Sequence, residues 1–281
     1  MPAKTSEELV ASCSAWWDTA IIDIHPGKIA VRGYPIEELI GRVRFPEMIW
    51  LMLRGELPST EQGELLEAAL VPGVDHGPHA PSIAISRMAV TCGLPVNGAM
   101  ASAINVLDDI HGGAGQQCME RYHEIDVLAG PDGDLVEAST VVLDRHRAAG
   151  EKIMPGFGHR FHPLDPRAPR LLALVDAAAK SGAVSGRFAA IGRAVEAQLA
   201  NAGHAIPMNI DGATGVVYAE LGFPPPLCRG LFVLSRSVGA LAHAFEEMQS
   251  GERSKGPIPR HLIWNYTGPP PREVPRKNNP G

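Results

Sequence analysis

The chain has few of the features that mark membrane, secreted or disulfide-bonded proteins. No run approaches the roughly 20 apolar residues that a membrane helix needs, and residues 1–8 lack the apolar core of a signal peptide. Only four of the 281 residues are cysteine, and no two of them form a CxxC pair, which argues against a disulfide framework and a zinc site. We therefore expect a cytoplasmic protein with reduced thiols, no membrane association and no bound metal.

Positive charge is also scarce, with 25 Lys and Arg against 31 Asp and Glu and a net charge of −6. This balance disfavours nucleic acid as a partner, and an anionic small molecule would need arginines gathered locally. Loops of the GxxxxGK[ST] type, HExxH and a nucleophile elbow are absent as well. The 45% hydrophobic content at this length supports a sizeable core, in one large domain or two unequal ones.

What the chain does have is a glycine-rich segment at its centre, where residues 155–160 read Pro-Gly-Phe-Gly-His-Arg. Two glycines flank an aromatic residue, so the backbone can turn sharply and approach a ligand. His159 and Arg160 then present an imidazole and a guanidinium together. This pattern is typical of a site loop, and the alternative is an ordinary turn before a helix that starts near Asp165.

Three further positions combine a polar side chain with a predicted helix end. The pair Asp75-His76 precedes an apolar helix over 83–90, His111 follows a helix over 99–110, and Asp211 precedes the apolar segment 216–221. Each has a structural alternative, namely a helix cap at Asp75 or Asp211 and an imidazole that complements a helix dipole at His111.

The segment 231–245 is apolar on nearly every helical face, so we expect a buried helix, yet Arg236 lies in its middle. A buried guanidinium without an anion is too costly to keep. Either an acidic residue of this chain neutralises it or a substrate does, and we favour the substrate. Beyond this helix, prolines around Arg260 and a Pro-rich tail from about residue 268 predict an exposed arm.

The candidate site residues therefore combine imidazoles, one loop carboxylate and several arginines. Arginines in that number suit a substrate with two or more carboxylates. Imidazoles plus one carboxylate, without a Ser or Cys nucleophile motif, suit proton transfer at a carbon beside a carbonyl. The carboxylate would act as the base and neutral imidazoles as hydrogen-bond donors. The candidates are His76, His111, His159, Asp211, Arg160, Arg167, Arg236 and Arg260.

In this order, the motifs resemble the signatures of the citrate synthase superfamily. The resemblance covers about residues 21–268, and Leu70 passes almost directly to Asp75-His76-Gly77, where longer citrate synthases insert several helices. This compact layout is similar to citryl-CoA lyases. The matching motifs are Arg32-Gly33-Tyr34-Pro35, His111-Gly112-Gly113-Ala114, residues 155–160, Asp165-Pro166-Arg167, Asn209-Ile210-Asp211 and Ser235-Arg236-Ser237-Val238-Gly239.

That resemblance implies a role for each candidate. Asp211 would exchange the proton at the acetyl-CoA methyl carbon, His111 would hydrogen-bond the thioester oxygen, and His159 would bond the oxaloacetate carbonyl or the citryl hydroxyl. The implied carboxylate ligands are His76, Arg160, Arg167, Arg236 and, from a second subunit, Arg260. The implied coenzyme A contacts are Pro155, Gly156, Phe157 and Gly158.

The resemblance also implies an all-α, citrate-synthase-like fold with a minor N-terminal hairpin. Residues 1–111 and 224–281 would form a large domain and residues 112–223 a small domain that closes over substrate. It further implies a homodimer or higher even oligomer, with no metal or redox cofactor and with coenzyme A arriving as part of the substrate.

The implied reaction is the reversible cleavage of citryl-CoA to acetyl-CoA and oxaloacetate. His111 keeps a citrate synthase or a 2-methylcitrate-type synthase open, because citrate synthases have histidine there and the lyase module of ATP-citrate lyase has an aromatic residue. Two other classes are a metal-dependent hydrolase, disfavoured because no ligand pair has helical spacing, and a catalytically silent helical interaction protein.

Overall fold

The computed structural model describes residues 5–160, 162–201, 206–256, 258–259 and 261–274. Within these ranges the regular structure is mainly helical, with little strand, which confirms the predicted all-α class. The helices are α1 (Ser6–Trp16), α2 (Ile36–Leu39), α3 (Phe45–Arg54), α4 (Thr60–Leu70), α5 (Pro81–Thr91), α6 (Val96–Asn105), α7 (Ala114–Ala129), α8 (Leu135–Ala148), α9 (Arg167–Ser181), α10 (Arg187–Asn201), α11 (Ile210–Glu220) and α12 (Pro225–Ser250), with a 3-10 turn at Val71–Gly73. No helix in the described part of the chain is long and apolar enough to cross a membrane.

The predicted N-terminal hairpin is present as part of a three-stranded antiparallel sheet. Strand β1 (Ile22–His25) pairs with β2 (Lys28–Val31), which pairs with β3 (Tyr34–Pro35). Gly27 closes the two-residue turn with φ of +75°, a conformation that glycine adopts without steric cost. Helix α1, which precedes the sheet, was not predicted, and none of its residues is buried.

The main hydrophobic core is formed by α3, α4 and helices α7 to α12. Helix α11 lies within it, with seven of its eleven residues buried. The Tyr122 and Tyr218 side chains are among the largest that the core encloses completely, and such aromatic side chains contribute strongly to stability because they bury much apolar area. The core draws on both predicted domains, so the division at residues 112 and 223 stays a prediction.

Helix α12 is 26 residues long, well beyond the predicted 231–245. One face is buried and includes Leu231, Arg236 and Ala240. The expectation of burial on every face is wrong, because five apolar residues at heptad spacing form an exposed stripe. These are Leu234, Val238, Leu241, Phe245 and Met248, each between 43% and 57% exposed.

The central loop packs directly against the N-terminus of α11. Phe157 forms an isolated bridge with Met208, and the Asn209 N–H donates to the Gly156 carbonyl at 2.9 Å. Gly156 has φ of +80°, and an added Cβ there would lie 2.8 Å from the Gly212 Cα. Only glycine permits this approach, which explains the two glycines at the contact.

Candidate active site

One cavity of about 630 Å³ brings most of the sequence-predicted residues together. It lies between the segment 72–81, the loop 110–114, the central loop, the N-terminus of α11 and the buried face of α12. The predicted residues that line it are His76, His111, His159, Arg160, Arg167, Asp211 and Arg236. Arg260 lies outside the described residues, so its proposed contact with a second subunit stays a prediction.

The predicted coenzyme A loop borders this cavity without lining it. Pro155 and Phe157 instead line a smaller neighbouring cavity of about 200 Å³, together with the basic side chains of Arg121, Arg147 and Lys152. Gly156 and Gly158 line neither cavity. The segment 155–160 therefore contributes residues to both cavities.

His159 is held in one tautomer by the backbone. Its Nδ1 accepts the N–H of His162 at 3.1 Å, so the proton of the neutral ring lies on Nε2. The ring centroid of His76 lies 5.4 Å away. Burial, followed by the His162 charge, lowers the pKa of His159, and burial together with Arg167 lowers the pKa of His76. Both imidazoles are thereby biased toward the neutral form.

His111 does not lie at the end of a helix, because α6 ends at Asn105 and the intervening residues form a loop. The interpretation as a dipole-complementing imidazole is therefore wrong. The Ser82 N–H donates to His111 Nε2 at 3.1 Å, which leaves the neutral ring's proton on Nδ1. Burial and the nearby Arg236 lower the pKa of His111, so this ring is also a neutral hydrogen-bond donor.

Asp211 occupies the first turn of α11 but does not cap it. The cap is Asn209, whose Oδ1 accepts the N–H groups of Asp211 and Gly212 at 2.9 and 3.3 Å. The Asp211 side chain lines the cavity, and burial raises its pKa although Arg167 and Arg236 oppose the shift. A carboxyl with a raised pKa can take and return a proton at carbon.

Asp75 does not cap α5 either, since that helix begins after Ala80 with Pro81 in its first turn. Its Oδ2 accepts the Gly77 N–H at 3.1 Å instead. This turn presents His76 to the cavity.

Arg236 is 6% exposed and lies on the buried face of α12, as the sequence predicts. Its Nε donates to the Gly73 carbonyl at 3.0 Å, and its guanidinium lies 4.8 Å from the ring centroid of Phe232. No carboxylate lies within 4.0 Å of it among the ion pairs of the described residues. Burial lowers the pKa of Arg236, while Asp75 and Asp211 oppose this. The alternative of a neutralising acidic residue in direct contact is therefore not supported.

Arg167 differs from Arg236 because a carboxylate of this chain already engages it. Its Nε and Nη2 donate to the two oxygens of Asp165, each at 2.9 Å. Asp165 is 1% exposed and also accepts the Ile210 N–H at 3.0 Å. Sequence reasoning missed Asp165, although its spacing of two residues from Arg167 was a usable signal. The pair reduces the charge that Arg167 can offer a ligand and ties the central loop to α11.

A family model described as "Citrate synthase, C-terminal domain" matches residues 11–73 and 58–260. The chain belongs to the citrate synthase family. It is 32% identical over 203 residues to a citrate synthase of Acidithiobacillus ferridurans, covering 70% of this chain and 50% of that protein. It is 31% identical over 200 residues to a 2-methylcitrate synthase of Mycobacterium tuberculosis, covering 70% and 47%. The chain spans about half the length of both relatives.

One solved structure and this chain match each other over nearly their whole lengths. The citryl-CoA lyase from Hydrogenobacter thermophilus superposes with a TM-score of 0.79 at 28% identity, covering 92% of this chain and 97% of that one. The resemblance expected from the sequence motifs, a short form of the superfamily, is thus confirmed.

Proposed function

We propose that this member of the citrate synthase family cleaves citryl-CoA reversibly to acetyl-CoA and oxaloacetate. The observation that carries the proposal is the match in extent with a citryl-CoA lyase, of which the chain covers 97%. The citrate synthases that it resembles are about twice as long as the matched segment. An enzyme of this family is expected to act through the cavity that holds its polar residues.

In the cleavage direction, the bond between the acetyl methylene carbon and the hydroxyl-bearing carbon breaks. The hydroxyl oxygen becomes the ketone oxygen of oxaloacetate, accepts a hydrogen bond from His159 Nε2 and releases its own proton to solvent. The electron pair of the broken bond enters the thioester as an enolate, whose oxygen accepts a hydrogen bond from His111. Asp211 then protonates the enolate carbon, which yields acetyl-CoA. One proton leaves and one is delivered, so the reaction is balanced.

The raised pKa of Asp211 suits this direction. The cleavage reaction needs the acid form of Asp211 at the outset, and burial favours that form because it disfavours the ionised carboxylate. The neutral states of His111 and His159 are equally suitable, because a neutral imidazole donates a hydrogen bond without fully transferring its proton, from His111 to the enolate oxygen and from His159 to the oxygen that becomes the ketone.

The charge balance of the cavity fits a substrate with two free carboxylates. Arg160, Arg167 and Arg236 line it, and Asp165 neutralises one of these guanidinium groups. With Asp211 protonated, about two positive charges remain for a ligand. Citryl-CoA and oxaloacetate each carry two free carboxylates, and Arg236 is the strongest candidate ligand because it lacks a carboxylate partner in the described residues.

Coenzyme A and the second subunit are part of the same proposal. The glycine-rich loop would contact coenzyme A, and Arg147 and Lys152 of the neighbouring cavity would face its phosphates, whereas Arg121 there is already paired with Glu151. A homodimer would cover the exposed apolar stripe of α12, because contiguous apolar surface of this kind favours association. Arg260 would then complete the partner's site.

A second candidate is a citrate or 2-methylcitrate synthase, which the names of the curated relatives support. It would use the same residues and then hydrolyse the thioester. The retained His111, which lines the cavity, is compatible with either reaction.

The two reactions differ in whether they release free coenzyme A. Purified protein is incubated separately with citryl-CoA and with acetyl-CoA plus oxaloacetate. Oxaloacetate is followed by NADH oxidation with added malate dehydrogenase, and free coenzyme A by a thiol reagent. A lyase forms oxaloacetate and acetyl-CoA from citryl-CoA without free thiol. Free thiol in both incubations would favour a synthase, and no product in either would favour a catalytically silent protein. Asp211→Asn protein serves as the matched control.

A further inference from the structure

The segment 73–76, which leads into His76, lies along the buried face of α12. The Arg236 side chain donates to the Gly73 carbonyl. One turn further along the helix, an added Cβ on Gly239 would overlap the Val74 carbonyl oxygen. The absence of a side chain at Gly239 therefore allows the segment to lie directly on the helix backbone. The position of His76 is thus set by α12.

Asp75, which follows Val74 in this segment, also contacts α12. One carboxylate oxygen, Oδ2, accepts the Gly77 N–H. The other, Oδ1, is buried and makes no hydrogen bond within the described residues. It lies 3.3 Å from His243 Nε2, a residue one turn beyond Gly239 on α12. The contact is therefore a close electrostatic approach and not a hydrogen bond. A buried oxygen without a hydrogen bond depends strongly on the polar group nearest to it.

His243 is itself fixed from the opposite side. Arg87 Nη1 lies 3.4 Å from His243 Nδ1, and a guanidinium can only donate, so Nδ1 is the acceptor and the ring proton lies on Nε2. Arg87 also pairs with Glu246 at 2.7 Å and with Glu247, which is 2% exposed. His243 Nε2 thus faces Asp75, while Nδ1 faces Arg87 and the Glu246 carboxylate, whose Oε2 lies 3.7 Å away. His243 does not line the cavity.

We propose that His243 is a positioning residue that holds the Asp75 carboxylate away from Arg236 and so keeps that guanidinium available for a substrate carboxylate. The inference rests on the proposed function, in which Arg236 binds the oxo acid. Asp75 lies two residues after Gly73, whose carbonyl Arg236 binds, and its Cβ would be 3.3 Å from a Cβ added at Gly239, one turn after Arg236 on α12. Without the His243 donor, the Oδ1 charge would find its best partner in Arg236, and Asp75 would compete with the substrate.

The test measures the dissociation constant of oxaloacetate by calorimetry and kcat for citryl-CoA cleavage. His243→Ala should weaken oxaloacetate binding about tenfold, the scale expected for one charge-assisted contact, while kcat at saturation changes less than about threefold. His243→Gln, whose amide nitrogen can reach Asp75, should restore most of the affinity. The control Asp176→Asn, which removes an exposed pair with Arg193, should change neither constant.

Asp75→Asn separates competition from a merely structural effect. The amide oxygen can still accept the Gly77 N–H, but the charge is gone. His243→Ala should therefore have little effect on affinity in the Asp75→Asn background, a non-additive result typical of directly coupled residues. An unchanged tenfold loss in that background would overturn the proposal, as would wild-type affinity in a folded His243→Ala protein.

Should His243→Ala fail to fold, His243→Gln is compared with His243→Asn, which is too short to reach Asp75. Equal affinity of these two variants would overturn the proposal, and weaker binding by the Asn variant alone would support it. If wild-type protein neither binds oxaloacetate nor cleaves citryl-CoA, the proposed function fails and this inference fails with it. An active wild type with unaffected His243 variants refutes this inference alone.

Discussion

Replacement of Arg236 by methionine tests whether its buried charge serves the ligand or the fold. Methionine has an unbranched side chain similar to the stem of arginine, so it fills most of the same space. The change removes the hydrogen bond to Gly73 and the contact with the Phe232 ring. It also removes a cation that is 6% exposed and has no carboxylate within 4.0 Å in the described structure.

The expected stability effect is small because large contributions oppose each other. The lost hydrogen bond from a charged donor is worth about 1.5–3 kcal/mol, and the cation–π contact about 1–2 kcal/mol. Relief of desolvation returns several kcal/mol for a buried ion. We expect the free energy of unfolding to change by less than about 2 kcal/mol, which corresponds to less than about 6 °C in Tm.

Ligand binding should respond far more. Loss of a buried partner for a substrate carboxylate costs about 2–5 kcal/mol, so oxaloacetate affinity should fall about 30-fold or more. Thermal denaturation and calorimetry with oxaloacetate measure the two effects, with Arg193→Met, which removes an exposed ion pair, as the control. A loss of more than about 3 kcal/mol of stability with unchanged affinity would show that Arg236 is structural and refute the reasoning.

Four further predictions concern Asp211, the ligand and a site shared between subunits. Asp211→Asn should lower turnover about 100-fold or more without loss of thermal stability, since it removes a buried ionisable group; an active variant would contradict the assigned role. Burial raises the pKa of Asp211, so the folded protein holds the Asp211 proton more tightly than the unfolded chain does. The stabilisation from this proton should therefore fall as pH rises through the raised pKa. The cleavage rate should fall over the same pH range, because cleavage needs the acid form of Asp211. The pH dependences of stability and of cleavage rate should both be absent from a residually active Asp211→Asn variant. The same pH dependences in that variant as in the wild type would argue for another acid. Oxaloacetate or citrate should stabilise the protein by about 2.7 kcal/mol at a hundredfold excess over the dissociation constant, and succinate by less because it lacks the oxygen that His159 would bond; equal protection would mean that only the arginines sense the ligand. Mixing inactive Asp211→Asn and Arg260→Ala proteins should restore activity if sites are shared across a dimer, since one site of each heterodimer is then intact; continued inactivity after demonstrated subunit exchange would place Arg260 in its own subunit's site or in none.

The sequence predicted which residues meet in the cavity better than it predicted their hydrogen-bond partners. The glycine spacing around Phe157 and the arginine within an apolar segment are local patterns, and both lead to the correct places in the fold. The ion pair between Asp165 and Arg167 was missed because either residue could face solvent in a loop. The donor to His111 comes from Ser82, 29 residues earlier in the chain, and no local pattern connects the two.

The exposed stripe on α12 shows a different limit. Apolar residues on nearly every face indicate burial, but they do not tell whether the same chain or another molecule provides it. The structure shows Leu234, Val238 and Phe245 exposed to solvent in the single chain. Helix boundaries failed for a simpler reason. Helix α6 ends at Asn105 although Val106, Leu107 and Ile110 follow it, because apolar content alone does not specify where helical hydrogen bonding stops.

The contact between the central loop and α11 limits how the site can be altered. His159 and Asp211 belong to segments joined by backbone contacts between Gly156 and Asn209 and by the Asn209 amide, which donates to the Gly158 carbonyl at 2.6 Å. The spacing of these two groups is therefore fixed by main-chain geometry. Any opening or closing of the cavity would carry them as a single unit toward or away from His111 and Arg236. Substitutions that retune the reaction should consequently be tolerated on the opposite wall of the cavity at positions other than His111 and Arg236, whereas a change at Gly156 or Gly158 would disturb both groups at once.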